Sequence, residues 1–369
     1  MATTEATPKV ATSSNHAALR KTVFLLLRMA IGIAILVYLA KSGQINFASL
    51  IRLLHAWPLT LTAVLFLLLD ILLMSIRASL LFRTARLSLS LANSVQLNLI
   101  GFLFSTFLPG AAGGDIAKLV YATRENHGRR AEVATVLILD RLVGIFSLVL
   151  LPLLFAPFFL DLLRSVSLLR QLLYIDALLA AFMLVSAGVV MFFAPTRSWV
   201  TSLMGRWPGI KNLALRVLDA MAVHGKNRGT LFFAFLLSLL ANLVLVVVTA
   251  LGLYAINPAS FSTRLALVAP IGHLVNSLPL TPGGIGIGET AFTALFRLTG
   301  INGGAETLLC VRLWNVLVGL LGLLVYLFGM QRSVYPYAKE VGGSGSRVYR
   351  SRINKLTRSR RAWQFSTLR

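Results

Sequence analysis

Of 369 residues, 57% are hydrophobic and only 13% are charged, and the mean hydropathy is +0.81. A soluble domain carries about 25% charged residues, and no stretch outside the apolar segments could build a core, so a pair of soluble domains is excluded. The net charge of +23 would point to nucleic acid if the basic residues formed one patch; they lie instead in short loops and tails between apolar runs, the pattern of an inner-leaflet signal.

Residues 1–21 are polar, rich in Ala, Ser and Thr, and read as a disordered cytoplasmic tail. The first apolar run, 22–40, has the length of a span and no small-residue cleavage pattern after it, so it reads as a helix and not as a signal peptide. Further runs of spanning length follow at 58–78, 132–157, 172–194, 230–256 and 305–330. Cys310 lies inside the last run, so no disulfide framework exists.

Two other apolar stretches are broken. The run 92–108 stops at Pro109-Gly110-Ala111-Ala112-Gly113-Gly114, and 265–278 stops at Pro279-Leu280-Thr281-Pro282-Gly283-Gly284. Short helical stretches follow, about 115–125 and 287–298, too short to span alone. Pro removes a backbone donor and Gly loosens the chain, and at membrane depth such breaks survive only against protein or water. The fold class expected is all-α: a polytopic membrane protein of six full spans plus two opposed re-entrant hairpins, about 92–125 and 265–298, within a membrane domain 22–330.

Charge supports that topology. With the N-terminus inside, the inside segments hold 26 Lys and Arg against 6 outside, and ten of the 26 lie in the tail 331–369. Making the first broken run a full span would throw the basic 195–229 loop outside. Both termini are therefore expected in the cytoplasm. Pro109, Gly113 and Gly114 match Pro279, Gly283 and Gly284 at an offset of 170, and Arg141-Leu142 matches Arg312-Leu313 at 171. Because the hairpins enter from opposite sides, the halves would be an inverted repeat, as in many secondary transporters.

A charge at the centre of a spanning helix costs about 2.5–3.5 kcal/mol on the insertion scale and so marks a functional candidate. The apolar segments hold Asp70, Asp115, Asp140, Arg141, Asp176, Glu289, Glu306 and Arg312. Asp115 reads either as an N-cap after Gly113-Gly114 or as a proton or cation site at a broken helix. Glu289 reads as a complement to a helix dipole or as the same kind of site. Asp140 and Arg141 are adjacent, point about 100° apart on a helix and need partners on other elements. They are either interhelical braces or, for Arg141 with its repeat mate Arg312, two sides of a phosphate-binding cavity, since the guanidinium fork suits phosphate and the glycine-rich helix starts offer backbone donors. Asp70 and Arg77, seven apart on one helix face, read as structural or interfacial. No metal spacing, Walker sequence or cofactor motif is present; Gly283-Gly284-Ile285-Gly286-Ile287-Gly288 follows no strand and is not a dinucleotide loop.

Leu108-Pro109-Gly110-Ala111-Ala112-Gly113-Gly114-Asp115, Leu139-Asp140-Arg141-Leu142-Val143-Gly144 and Thr281-Pro282-Gly283-Gly284-Ile285-Gly286-Ile287-Gly288-Glu289 together resemble the lysylphosphatidylglycerol synthase transmembrane-region family, also called flippase-like. The likeness covers roughly 20–330 and extends to the membrane half of the multiple peptide resistance factors, which make and flip aminoacylated phosphatidylglycerol. No aminoacyl-transfer domain follows residue 330, only a basic tail, so the resemblance implies the lipid-handling membrane part alone, in a bacterial inner membrane. It carries over Gly113, Gly114, Asp115, Asp140, Arg141, Gly283, Gly284, Gly288 and Glu289.

Three functions fit. The first is a flippase or transporter of a phosphate-bearing lipid: Arg141 and Arg312, with Gly113, Gly114, Gly283, Gly284 and Gly288, bind an anionic head group, and Asp115, Glu289 or Asp140 couples a proton or ion. The second is a lipid or glycolipid transferase using Asp115 or Glu289 as general base. The third is a non-catalytic subunit that docks a lipid-synthesising enzyme through its basic tail. The expected partners are membrane lipids.

Overall fold

The structure is a computed structural model that describes residues 56–107, 113–192, 227–278, 281 and 284–325. The expected span 22–40 and both tails lie outside the described residues. Residues to Gly322 form one compact unit; of a second, Leu323–Arg369, only the last residues of a helix are described.

Every regular element described is helical. In chain order they are α1 (Trp57–Thr84), α2 (Leu91–Phe107), α3 (Gly113–Glu125), α4 (Arg130–Phe155), α5 (Leu160–Ser165), α6 (Ser167–Phe192), α7 (Arg228–Ile256), α8 (Leu265–Ser277) and α9 (Ile287–Leu298), then α10 (Gly304–Val325). Five helical stretches are long and apolar enough to cross a membrane: α1, α4 with its extension to Ser165, α6 to Val189, α7 and α10. α2 and α8 are apolar but too short. Pro58 opens α1 at a position that lacks a helix partner anyway. Pro152 sits inside α4, a position that neighbouring helices make tolerable at membrane depth.

The packing is polar inside and greasy outside. Leu61, Leu65, Leu69 and Leu72 on α1, Leu178 and Phe182 on α6, Phe232, Phe233 and Leu240 on α7, and Leu317 and Leu324 on α10 are all exposed. Asp70, Arg77, Asp140, Ser75, Asn98, Ser147, Ser238 and Asn242 are buried. In water this pattern would waste about 25 cal/mol for each Å² of apolar surface left exposed; in lipid it costs nothing. The chain is a multi-pass membrane protein.

α2 and α3 form a helical hairpin. Asn93 Nδ2 donates to Glu125 Oε1 at 2.5 Å at one end, while Ser105 and Gly101 of α2 lie against Gly114 at the other, so the two helices run antiparallel. α8 and α9 repeat the design: Arg264 Nη1 donates to the Thr299 carbonyl at 3.0 Å, and Asn276 lies against Gly284 at the far end. Each hairpin is flanked by long helices, α1 and α4 for the first, α7 and α10 for the second. The starts of the four elements are offset by 171 residues (Trp57 and Arg228) to 174 (Arg130 and Gly304).

α1 and α7, equivalent in that repeat, pack along their length in opposite directions. Arg77 meets Ser238, Leu73 clusters with Ala241 and Val244, and Ala63 and Leu67 cluster with Val248, Ala255 and Ile256. The first hairpin opens at the end of α1 and the second at the end of α7, so the two open toward opposite ends of the bundle.

Candidate functional site

Glu289 is the third residue of α9 and is fully buried. Its Oε2 accepts from the Gly286 N–H at 2.7 Å, and its Oε1 is paired with Arg312 Nε at 2.6 Å. Arg312 Nη2 also donates to Asn276 Oδ1 at 2.8 Å. α8, α9 and α10 thus meet at one cation. Gly284 adopts φ +69° and Gly286 φ +85°, a region glycine enters without a steric penalty. A side chain at Gly284 or Gly288 would run into the Asn276 amide. These glycines create the close approach that lets an amide, a carboxylate and a guanidinium converge. The backbone donor offered by the start of α9 is occupied by the chain's own Glu289.

The first hairpin holds a looser version. Asp115, third residue of α3, pairs with Arg141 on α4, with both side chains close to half exposed. A side chain at Gly114 would strike the Gly101 carbonyl and the Ser105 hydroxyl, as one at Gly284 would strike Asn276. The backbone of Gly113 starts α3, and Gly283 lies outside the described residues. Arg141 stands eleven residues into α4 and Arg312 eight into α10. At 1.5 Å per residue that is about 16 and 12 Å from the helix starts, well inside a hydrocarbon layer of about 30 Å.

Asp140 and Arg141, adjacent in sequence, are seated in separate pairs. Asp140 is held by Arg77 in a two-pronged bond, Nε to Oδ1 at 2.7 Å and Nη2 to Oδ2 at 2.9 Å. Arg77 Nη1 donates in turn to Ser238 Oγ at 2.8 Å. This buried bridge ties α1, α4 and α7 together, and Asn242 adds bonds to the Gly144 carbonyl and to Ser147 Oγ at 2.7 Å. Arg77 is therefore a bundle residue, which fits its reading from the sequence as structural.

Asn276 was not among the residues picked out from the sequence. Its signal was an amide inside an apolar run three residues before Pro279, since polar side chains at membrane depth bond across helices. Its repeat counterpart, by an offset of 171, is Ser105. Asp176 and Glu306 are both buried, on α6 and at the start of α10. Among the described residues no group of three or more His, Cys, Asp or Glu could hold a metal.

No curated protein and no solved structure matches the chain. A family model described as lysylphosphatidylglycerol synthase TM region matches residues 25–333. That match takes in both hairpins, both acid–arginine pairs and the Arg77–Asp140 bridge, and the chain belongs to the lysylphosphatidylglycerol synthase transmembrane-region family.

Proposed function

We propose that the chain is a lipid flippase or transporter that moves a phosphate-bearing lipid between leaflets. The observation that carries this reading is the repetition of one device in two antiparallel halves: a carboxylate in the first turn after a glycine-rich hairpin turn, paired with an arginine on the following helix. Both hairpins are re-entrant, giving six spans when the run 22–40 is included, in a cell inner membrane with both termini cytoplasmic. The basic inside loops support that orientation.

The chemistry is an exchange of anions on arginine. Glu289 and Asp115 hold Arg312 and Arg141 while no substrate is bound. A head-group phosphate, which accepts the same two-pronged bond, displaces the carboxylate, and a proton or cation neutralises the displaced acid. Oδ1 of Asn315, one turn along α10 from Arg312, and Oγ1 of Thr281 in the hairpin turn are buried without a partner among the described residues. Asn315 is a spare polar group on the helix of the second arginine, and Thr281 is one in the turn of the second hairpin. The pairs alternate in occupancy, so the lipid is handed from the hairpin open to one side toward the hairpin open to the other. A transferase would need a carboxylate free to take a proton in place; both oxygens of Glu289 are already engaged, which argues against Glu289 as that base.

The test is transbilayer movement of head-group-labelled anionic lipids in proteoliposomes. Wild type is expected to accelerate movement, and Arg141→Ala and Arg312→Ala to abolish it while keeping a cooperative melting transition. Normal transport by both folded variants rejects the arginine site. A new lipid product that depends on Asp115 or Glu289 replaces transport with catalysis.

A further inference from the structure

Asp70 and Asp176 are buried carboxylates outside both acid–arginine pairs, and each has a side-chain oxygen with no hydrogen-bond partner among the described residues. Asp70 lies in the middle of α1 with 6% of its surface exposed, and its Oδ1 has no hydrogen-bond partner among the described residues. Interior carboxylates are ordinarily ion-paired or hydrogen-bonded, because an unmatched charge in a low-dielectric interior is among the costliest features a fold can carry. Two cations lie close enough for their fields to reach Asp70: Arg77, two turns along the same helix, and Lys118 of α3. Arg77 is already saturated by Asp140 and Ser238. Lys118 has neither a hydrogen bond nor an ion pair among the described residues, and its methylenes lie across Gly101 on α2, where an added side chain would meet Cε at 2.5 Å.

Among the described residues, the remaining elements packed against α1 place no hydrogen-bond partner on Asp70 Oδ1. α2 contains no charged residue and α7 has only Arg228 at its start; α4 carries Arg130 and Glu132 in its first turn, Asp140 held by Arg77 and Arg141 paired with Asp115, and α10 carries Glu306 and Arg312. Among the described residues, Asp70 on a long span therefore has an unpartnered buried oxygen, and the partly buried Lys118 on the first hairpin has no ion pair and lies in the fields of both Asp140 and Asp70.

We propose that Asp70 is a proton-exchanging carboxyl of the membrane interior and that Lys118 is its positioning partner on the first hairpin. Asp140 also attracts Lys118, so an ionised Asp70 adds to a pull that already holds the hairpin against α1. When Asp70 takes a proton, that added pull is lost and the hairpin is held more weakly, so one proton changes how firmly α3, and with it Asp115, sits against the bundle. The link to lipid movement rests on the transport reading; the protonation itself does not.

Infrared difference spectra of the full chain in lipid nanodiscs, between neutral and mildly acidic pH, test the site directly. The C=O stretch of a protonated carboxyl is expected to grow as pH falls. That band should be lost in Asp70→Asn, which keeps the shape of the protonated acid, and kept at a changed frequency in Asp70→Glu. Lys118→Met, which removes a nearby positive charge, should extend the band to higher pH. Identical spectra for wild type and folded Asp70→Asn overturn the proposal, as does a band in wild type that Lys118→Met leaves unmoved. In proteoliposomes with an imposed pH gradient, Asp70→Asn should lose the gradient dependence of lipid movement. If no movement occurs in wild type while the infrared band behaves as expected, the transport reading fails and the proton site stands.

Discussion

The two hairpins are built to one plan and sealed to different degrees. In the second, Glu289 is fully buried and Arg312 is held by a carboxylate and an amide. In the first, Asp115 and Arg141 stand close to half exposed, and the place of Asn276 is taken by Ser105. Identical ion chemistry therefore has very different weight. A pair near water is worth about 1 kcal/mol or less, whereas breaking a buried pair costs about 3–5 kcal/mol because the survivor is left uncompensated. The difference leaves one arginine close to half exposed and the other sealed against its own carboxylate.

The largest effect should come from breaking the sealed pair. Glu289→Gln removes the charge that matches Arg312, and a loss of about 3–5 kcal/mol is expected, read as a large fall in melting temperature of the purified protein in detergent. Asp115→Asn is expected to change melting by no more than about 1 kcal/mol. Equal losses at the two sites would show that the hairpins are sealed alike and would break the comparison.

Asn276→Ala comes next. It removes one acceptor from a guanidinium, a hydrogen bond to a charged group worth about 1.5–3 kcal/mol, while Ser105→Ala should be close to neutral by the same melting assay. A costly Ser105→Ala would mean that this serine does for the first hairpin what the amide does for the second.

The smallest effect concerns the open ends. The first hairpin is clasped by Asn93 and Glu125, the second by Arg264 on a backbone carbonyl, so only the first clasp titrates. Partial burial raises the Glu125 carboxyl above its ordinary value of 4.5, against the lowering effect of the Asn93 bond. With the folded value above the unfolded one, this group's stabilising contribution is full below the ordinary value and is lost as pH rises through the folded one. Melting temperature should thus drop slightly over that window in wild type and stay flat in Glu125→Gln. A slope of the opposite sign would show the Asn93 bond, not burial, to be the stronger influence.

Much of this arrangement was legible in the sequence. The Pro-Gly breaks predicted hairpins over 92–125 and 265–298, against helix pairs at Leu91–Phe107 with Gly113–Glu125 and at Leu265–Ser277 with Ile287–Leu298, because Pro and Gly act on their own backbone and need no distant partner. Partners were not legible in this way. Asp70 and Arg77 share a helix face, yet Arg77 turns to Asp140, 63 residues away. Whether an arginine meets an aspartate on the preceding helix, as Arg141 meets Asp115, or on one three helices later, as Arg77 meets Asp140, depends on how the helices pack, not on spacing along the chain.

The sequence by itself determined the membrane character, the places where helices break and the charges that must find company inside. Those follow from local solvation and local backbone sterics. Tertiary structure alone decided which acid serves which arginine, which pair is sealed and which stands open. Those outcomes follow from close helix packing at Gly114, Gly284 and Gly288, where a single added carbon would keep the partners apart.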